Sequence, residues 1–467
     1  MQSLRQLFGG DLRQFSMLFA LVVLVMYFQI ATGGKVLTPS NMMNLVNGNS
    51  YVLILAIGMV MVIVVGHIDL SVGSVAAVTG IIVALALRDW GIPWWVGLLL
   101  GLAVGAAIGA WQGYWVAYVG IPGFITTLAG MMIFRGLNQY IGDSNSVPVP
   151  EEFQVMGGGY LPEWGPNTGF NNSTLLLGIA AGVFVIWHEL RKRQRAVKVG
   201  LEPDSVTIAT VRVALLLAVI AYMTYLFGTG REGTSFPVPG VILVVLVIIY
   251  HVITQRTKFG RHIYAVGGNR AAAALSGVST RKTYFLVMAN MSVLAALAGM
   301  IFIGRSTASG PFDGQLWELD AIAAVFIGGA AVSGGIGTVT GSIIGGLVMA
   351  TLNNGLQLMG VGSDMTQIIK GLVLLAAVAF DVYNKTQGRP SLIGAMGRAF
   401  QNSRLGSHEP VVAPAGGSAA ASTIGAHETG STATLPASAT STATEAPPVV
   451  DDITQTSHPM GNAEEER

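Results

Sequence analysis

Long apolar runs separated by short polar segments set the pattern of this 467-residue chain. A bilayer core about 30 Å thick needs roughly 20 apolar residues in one helix. Runs near this length predict an all-α, polytopic transmembrane helical bundle of about twelve spans. They lie at residues 15–33, 50–66, 71–87, 94–118, 122–141, 174–190, 206–228, 237–254, 283–304, 319–333, 335–355 and 365–383. The tenth run is short, so the tenth and eleventh also fit a pair of helices that enters the membrane only part-way.

The composition agrees with a membrane protein and argues against an enzyme. Apolar residues make up 52% of the chain and charged residues 10%, whereas soluble domains carry about 25% charged residues. The absence of cysteine excludes disulfides and thiolate chemistry. The sequence contains no phosphate-binding loop, no zinc-protease or serine-hydrolase motif, and no histidines at metal-ligand spacing. We therefore expect no catalytic residue, no metal and no cofactor in this chain, and no nucleic-acid partner.

The loop charges predict the orientation and the division of the chain. Six basic residues and no acidic one lie in 255–282, and five basic residues lie in 191–198. Four acidic residues and no Lys or Arg lie in 142–173. Because Lys and Arg stay on the cytoplasmic side, both basic loops and both termini are expected there. The predicted parts are an N-terminal segment 1–14, a transmembrane domain 15–385 and a cytoplasmic tail 386–467. The tail is rich in Ala, Ser, Thr and Pro, which predicts disorder from about residue 405.

A polar turn interrupts the apolar pattern between the second and third predicted helices. Its conspicuous residues are Gly66, His67, Asp69, Ser71, Gly73 and Ser74. Asp69, with Ser71 and Ser74, suits a helix N-cap; a substrate contact and a proton relay with His67 are the alternatives. The segment 66–74 matches 334–342 at four of nine positions. This match predicts two related halves, as transporter folds often have.

Five glycines at a spacing of four lie on one face of the fourth predicted helix, at Gly97, Gly101, Gly105, Gly109 and Gly113. Such a face lets another helix backbone approach closely. The pattern predicts helix packing there, and an interface that moves during function is the second interpretation.

The basic segment 255–282 contains the signals of a short helix. Asn269 suits its N-cap, residues 270–276 favour helix, and Gly277 suits its C-terminal end. The segment is expected to dock a cytoplasmic partner; a plain basic connector is the alternative.

Four blocks of sequence resemble the permeases of bacterial ATP-binding-cassette importers for ribose, xylose and related monosaccharides. They are GHIDLSVGSVAAVTG at 66–80, IPGFITTLAGMMIFRGL at 121–137, GRHIYAVGGNRAAAALSGV at 260–278 and DAIAAVFIGGAAVSGGIGTVTGSIIGG at 320–346. The resemblance covers roughly 45–385, and the spans 174–190 and 206–228 look like extra helices relative to ribose-type members.

The resemblance implies an importer permease in the cell (inner or plasma) membrane. It implies two copies of the permease, an extracytoplasmic sugar-binding protein, and a cytoplasmic ATPase that binds ATP and Mg²⁺. The ATPase would contact Asn269, Arg270, Ala271, Ala274, Leu275, Ser276 and Gly277. Few charges lie in the spans, which favours a neutral polar solute.

Amide side chains are the candidates for lining the pathway, at Asn138, Gln139, Asn290, Asn353 and Gln357. Arg135 and Lys370 are interpreted as reaching towards the headgroup region. A proton-coupled secondary transporter that uses Asp69 and His67 remains an alternative, as does a channel or scaffold without energy coupling.

Overall fold

The computed structural model describes residues 12–166, 168–200, 205–229 and 235–386. Within these residues the chain forms fifteen α-helices and two strands of two residues each, which confirms the all-α prediction. The helices are α1 Leu12–Ala31, α2 Pro39–Val64, α3 Val72–Asp89, α4 Trp94–Tyr114, α5 Gly123–Ile141, α6 Glu151–Gly158, α7 Asn172–Lys198, α8 Val206–Gly228, α9 Val238–Arg256, α10 Lys258–Gly268, α11 Arg270–Leu275, α12 Thr280–Ser306, α13 Trp317–Ile327, α14 Val339–Leu358 and α15 Ser363–Thr386. A π-helical turn, Trp115–Val119, extends α4. Most of the predicted N-terminal segment 1–14, and the predicted disorder from about 405, lie outside the described residues.

Each of the twelve predicted spans overlaps a helix. In the described part of the chain, eight helices are long and apolar enough to cross a membrane, namely α2, α3, α4 with its π turn, α7, α8, α9, α12 and α14. The helices α1, α5, α13 and α15 correspond to the other four predicted spans. The chain is a multi-pass membrane protein.

The tenth predicted span, 319–333, is wrong as a full crossing. The helix α13 has 11 residues, which at 1.5 Å per residue is about half of a bilayer core. The preceding segment turns back into the bundle: an added Cβ on Gly314 would overlap with the backbone oxygen of Gly73, in the first turn of α3. The structure therefore agrees with a helix that enters only part-way, followed by α14.

The second predicted span begins eleven residues too late, because α2 starts at Pro39 and not at residue 50. Four asparagines between 41 and 49 lower the local hydropathy. In the structure Asn41 and Asn354 on α14 exchange two side-chain hydrogen bonds of 2.9 Å. Neighbouring helices thus satisfy amides that a hydropathy pattern counts as loop.

The core lies around α2, α3 and α12. The most apolar stretches of these helices are 78%, 78% and 67% buried. Large side chains such as Leu55 and Ile57 on α2 and Met291 on α12 are fully buried there. This packed centre holds in place the turns and short helices described below.

The glycine face of α4 packs as predicted. Gly105 and Gly109 lie against Ala296 and Ala289 on α12, and Gly113 lies against Phe285. An added Cβ on Gly109 would stand 2.7 Å from the Cα of Ala289, so no larger residue fits without a shift. At the other end of the face, Gly97 meets Leu87 on α3, and Gly101 meets Met300 on α12.

Short elements cover one end of the bundle. The strand β1, Val147–Pro148, pairs antiparallel with β2, Ala308–Ser309. The helix α6 packs against the C-terminal end of α12, where Gly157 is in backbone contact with Ile301. The other end carries α10 and α11 and is called the α11 end below.

Candidate coupling site

The predicted short helix of the basic segment is present as α11. The Asn269 side chain accepts a hydrogen bond of 3.0 Å from the backbone N–H of Ala272, as an N-cap does. Gly277 follows the helix with a φ of +82°, which favours glycine. These details confirm the predicted cap, helix and terminating glycine.

This helix protrudes from the bundle. Only Ala273 is buried in it, while Leu275 is 91% exposed. The seven residues predicted to contact an ATPase, Asn269, Arg270, Ala271, Ala274, Leu275, Ser276 and Gly277, are all exposed. An exposed apolar residue with basic neighbours is available to a partner, but the docking role itself stays a prediction.

The helix α10 holds α11 against the bundle through backbone contacts. An added Cβ on Gly267 would overlap with the backbone oxygen of Val64, at the end of α2, and would stand 2.9 Å from the N of Gly335. The Tyr264 hydroxyl donates a 2.7 Å hydrogen bond to the backbone oxygen of Gly337. The start of α11 is thereby tied to two different turns of the bundle.

Those two turns overlap the segments that the sequence matches as a repeat, 66–74 and 334–342. The first, 65–71, joins α2 to α3, and the second, 328–338, joins α13 to α14. Gly66 and Gly334, which are matched positions, have φ values of +88° and +78°. An added Cβ on Gly334 would stand 3.4 Å from the Cα of Gly66. The backbone N–H of Gly335 donates a 2.8 Å hydrogen bond to Val64, so the two turns touch each other directly.

A second pair of matched glycines, Gly73 and Gly341, makes the same kind of backbone contact. Gly73 lies against the backbone oxygen of Gly314, and Gly341 lies against that of Gly328. Each is in the first turn of the helix that follows its turn, where another backbone comes too close for a side chain. Matching positions therefore share a local role, which supports the predicted relation between the two segments.

The predicted N-cap of α3 by Asp69, Ser71 and Ser74 is present only in part. Ser71 is the N-cap residue but its side chain makes no capping bond. Its N–H and hydroxyl donate to Asp69 Oδ1 at 2.8 and 2.6 Å, and the Ser74 hydroxyl donates to the Ser71 backbone oxygen. The Gln112 amide on α4 donates to the Ser71 hydroxyl at 2.7 Å. Asp69 thus fixes the turn itself, and through Ser71 it ties the turn to α4.

His67 and Asp69 do not form a hydrogen-bonded pair. The ring of His67 is partly buried and stands edge-on to Tyr284, with 4.5 Å between the ring centroids. Within the described residues its Nε2 has no hydrogen-bond partner. Burial lowers the pKa of His67 below its usual range, and Arg270 lowers that pKa further. A histidine held neutral beside a basic residue gives the proton-relay alternative no support.

The five predicted pathway amides are not brought together by hydrogen bonds. Asn138 is buried and donates to the backbone oxygens of Gly310 and Pro311. Asn290 accepts a 2.6 Å hydrogen bond from the Tyr250 hydroxyl. Gln139 and Asn353 are partly buried, and Gln357 is exposed. Asn138 and Asn290 link neighbouring segments, and the lining role of all five stays a prediction.

Arg135 and Lys370, interpreted from the sequence as reaching towards the headgroup region, each lie near an acidic side chain. Both face carboxylates on α13: Lys370 Nζ lies 2.6 Å from Asp320 Oδ1, and Arg135 Nη2 lies 3.8 Å from Glu318 Oε1. The sequence did offer a signal, because the carboxylates Glu318 and Asp320 lie inside an apolar stretch and need partners there. Their partners are far away in sequence, so only the tertiary structure pairs them.

The described residues thus form a polytopic helical bundle with a short exposed helix, α11, next to two linked turns. The family described as "Branched-chain amino acid transport system / permease component" matches residues 41–153 and 169–378. The chain belongs to this family. Its members are transport components, which agrees with the expectation that the chain is not an enzyme.

The curated relatives include sugar permeases. The xylose transport system permease protein of Haemophilus influenzae is 40% identical over 376 residues, covering 80% of this chain and 97% of that protein. Its Escherichia coli K12 counterpart is 38% identical, covering 80% and 93%. The ribose import permease protein of Bacillus subtilis is 32% identical over 377 residues, covering 80% and 94%. These similarities confirm the predicted resemblance to sugar-importer permeases. No solved structure matches the chain.

Proposed function

We propose that this chain is the membrane-spanning permease of an ATP-driven importer that carries a monosaccharide, xylose or a related sugar, inward across the cytoplasmic membrane. The relatives named for xylose and ribose support the substrate class. The observation that supports an external energy source is α11, a capped and exposed helix that directly follows α10, whose Gly267 contacts both turns. A helix held in this way can receive a push from a separate motor protein.

The proposal places the α11 end in the cytoplasm, together with both termini. The basic residues around α11, at Arg256, Lys258, Arg261, Arg281 and Lys282, support this side because cytoplasmic loops retain positive charge. A cytoplasmic ATPase contacts α11 and holds the ATP and Mg²⁺, and this chain holds neither. A sugar-binding protein delivers the solute to the opposite end, and two copies of the permease enclose the pathway.

The contacts of Gly267 supply a route for the force. When nucleotide binding moves the ATPase, α11 moves with it, and the adjoining Gly267 presses on Val64 and Gly335. Both turns lead directly into helices, α3 and α14. A displacement at one point therefore shifts both matched halves, which is what alternate opening of a pathway requires.

The energy source is tested by measuring uptake of labelled D-xylose and D-ribose in cells that hold the complete system. ATP depletion with the proton gradient clamped should stop uptake, and an uncoupler with ATP maintained should leave it. The opposite pattern would favour the secondary transporter. Labelled leucine is measured in parallel because the family description names branched-chain amino acids; uptake of leucine in place of sugar would overturn the substrate class.

The coupling role of α11 is tested by Asn269→Leu combined with Gly277→Leu. We expect this pair to abolish uptake and to leave membrane insertion intact, since it removes the cap and forces a side chain into a left-handed φ. The matched control is Asn171→Leu with Gly200→Leu, the N-cap of α7 and a glycine with φ +74° beyond its end. Uptake at the normal rate in the α11 variant would refute the docking assignment.

A further inference from the structure

An open ion pair lies where α5 approaches the start of α13. Two carboxylates stand on the first turn of α13, two residues apart. Asp320 is in direct contact with Lys370 at 2.6 Å, whereas Glu318 is 3.8 Å from Arg135, beyond hydrogen-bond distance. Glu318 is only 4% exposed. A buried carboxylate inside the membrane that does not close on its cation is costly, and such groups mark functional sites by default.

Three polar atoms around this pair have no hydrogen-bond partner in the described part of the chain. They are Arg135 Nη2, Glu318 Oε2 and Asn138 Oδ1. Arg135 and Asn138 are three residues apart on α5 and therefore share a face. The Asn138 amide donates to Gly310 and Pro311 at 3.2 and 3.1 Å, which fixes the segment that leads into α13 and Glu318.

Glu318 also borders α3. Its Oε2 would stand 2.8 Å from a Cβ added to Gly73, so the carboxylate lies beside the first turn of α3. The polar turn before α3 follows Val64, which Gly267 on α10 contacts.

Buried polar groups are normally satisfied. Here one donor, on Arg135, and two acceptors, on Glu318 and Asn138, lack a partner within the described part of the protein. They lie near a turn connected to the coupling helix. This arrangement fits a ligand that binds there and leaves again.

The charges select the class of that partner. Glu318 disfavours an anion and Arg135 disfavours a cation, so the pair suits a neutral molecule. A sugar hydroxyl is both a donor and an acceptor, and adjacent hydroxyls can bridge a carboxylate and a guanidinium. The three unpartnered atoms are buried, but they lie close to open space, because 34% of the Arg135 side chain is exposed and Gln315 is exposed as well. A sugar would reach them when the packing around them opens.

We propose that Arg135, Glu318 and Asn138 bind the hydroxyl groups of the transported monosaccharide within the membrane and contribute to its selection. This inference rests on the proposed function as a sugar permease. It adds a specificity site in the permease to the selection made by the external binding protein. The other four amides predicted from the sequence are not part of it.

The test uses the complete complex of permease, ATPase and binding protein in proteoliposomes. The variants are Glu318→Gln, Arg135→Lys and Asn138→Asp, each of similar size to the native residue. Uptake of D-xylose and of its 2-, 3- and 4-deoxy analogues is measured per assembled complex, together with ATPase activity stimulated by the loaded binding protein. The matched control is Asp320→Asn, which opens the other ion pair on the same turn.

We expect Glu318→Gln to lower xylose uptake at least tenfold while the stimulated ATPase activity persists. The preference for xylose over at least one deoxy analogue should fall several-fold in the site variants. In these variants one hydroxyl contact is already lost, so removing that hydroxyl from the sugar costs little more. The control variant Asp320→Asn should change how much complex assembles but should leave the preference for xylose over its deoxy analogues unchanged. Arg135→Lys keeps the charge, so its preference is readable even if the other variants assemble poorly.

Unchanged preferences in all three site variants, or a loss of ATPase activity in parallel with uptake, would overturn the inference and leave a structural ion pair. Failure of the wild-type complex to carry any pentose or hexose is a different result, because it would overturn the proposed function itself. The wild-type measurement therefore separates the two failures.

Discussion

Two helices with nearly the same hydropathy, α2 and α8, have opposite surroundings. Their most apolar stretches have mean hydropathies of 1.9 and 2.2, yet the stretch in α2 is 78% buried and the one in α8 is 6% buried. The helix α2 is enclosed by α12, α13 and α14, whereas α8 packs mainly along α7 and presents residues such as Leu215 outward. Hydropathy therefore predicts that a helix enters the membrane but not what it touches there, because lipid tails and side chains are equally apolar.

The difference in burial between α2 and α8 follows from small residues more than from large ones. Around α2 and α12, glycines allow backbones to meet, as at Gly299, where an added Cβ would overlap with the backbone oxygen of Ala76. The α7–α8 hairpin has fewer such contacts. It encloses a groove of about 500 Å³ lined by Leu175, Gly178 and Leu217 among others, and Glu189 pairs with Arg212 at 3.4 Å. The packed region carries the turns of the coupling site, and the hairpin carries none of them.

The largest effect is expected where the packed region meets α11. Gly267→Ala should abolish sugar uptake, because the methyl group would overlap with the backbone oxygen of Val64 and separate the two turns. The control is Gly268→Ala, where an added Cβ meets nothing within 4 Å, and uptake should persist. Equal uptake in the two variants would show that the backbone contact at Gly267 is unimportant.

The same substitution in each region compares burial directly. Leu55→Ala on α2, where the native residue is fully buried, should lower the free energy of unfolding by about 2–5 kcal/mol. Leu215→Ala on α8 removes a side chain that is 53% exposed and should cost less than about 1 kcal/mol. Unfolding of each variant in a lipid environment measures the difference. Similar losses would mean that the hairpin is packed in a way that the single chain does not show.

The smallest effect is expected at His67. Because burial and Arg270 keep the pKa of His67 below its usual range, the residue is neutral above about pH 7. Its charge can change only as the pH falls below that range. His67→Asn should therefore leave the dependence of uptake on pH unchanged between pH 7 and 8, measured with ATP supplied. A shift of that profile would revive the proton-relay alternative.

The sequence predicted best those features that are local. The residues 206–228 were predicted as a span, and α8 has the same limits. The cap at Asn269 and the end at Gly277 need only neighbouring residues, and they were found too. The start of α2 was missed because Asn41 is satisfied by Asn354, more than 300 residues away.

The candidate site shows the same limit. The glycine face of α4 predicted a close helix contact, but nothing in the spacing named α12 as the partner. The pairing of Arg135 with Glu318 was missed for this reason as well, since the two residues are 183 positions apart. Periodicity reports which face of a helix is special, and only the assembled bundle reports what that face meets.

The contact between Gly66 and Gly334 limits how the protein can move. Since the backbone N–H of Gly335 is hydrogen-bonded to the backbone oxygen of Val64, and Gly334 lies close to that same oxygen, neither turn can be displaced alone without breaking that bond. Any rearrangement started at α11 is then concerted, with one step serving both halves of the subunit. A half-open state, with one turn released and the other still seated, should be short-lived in the transport cycle.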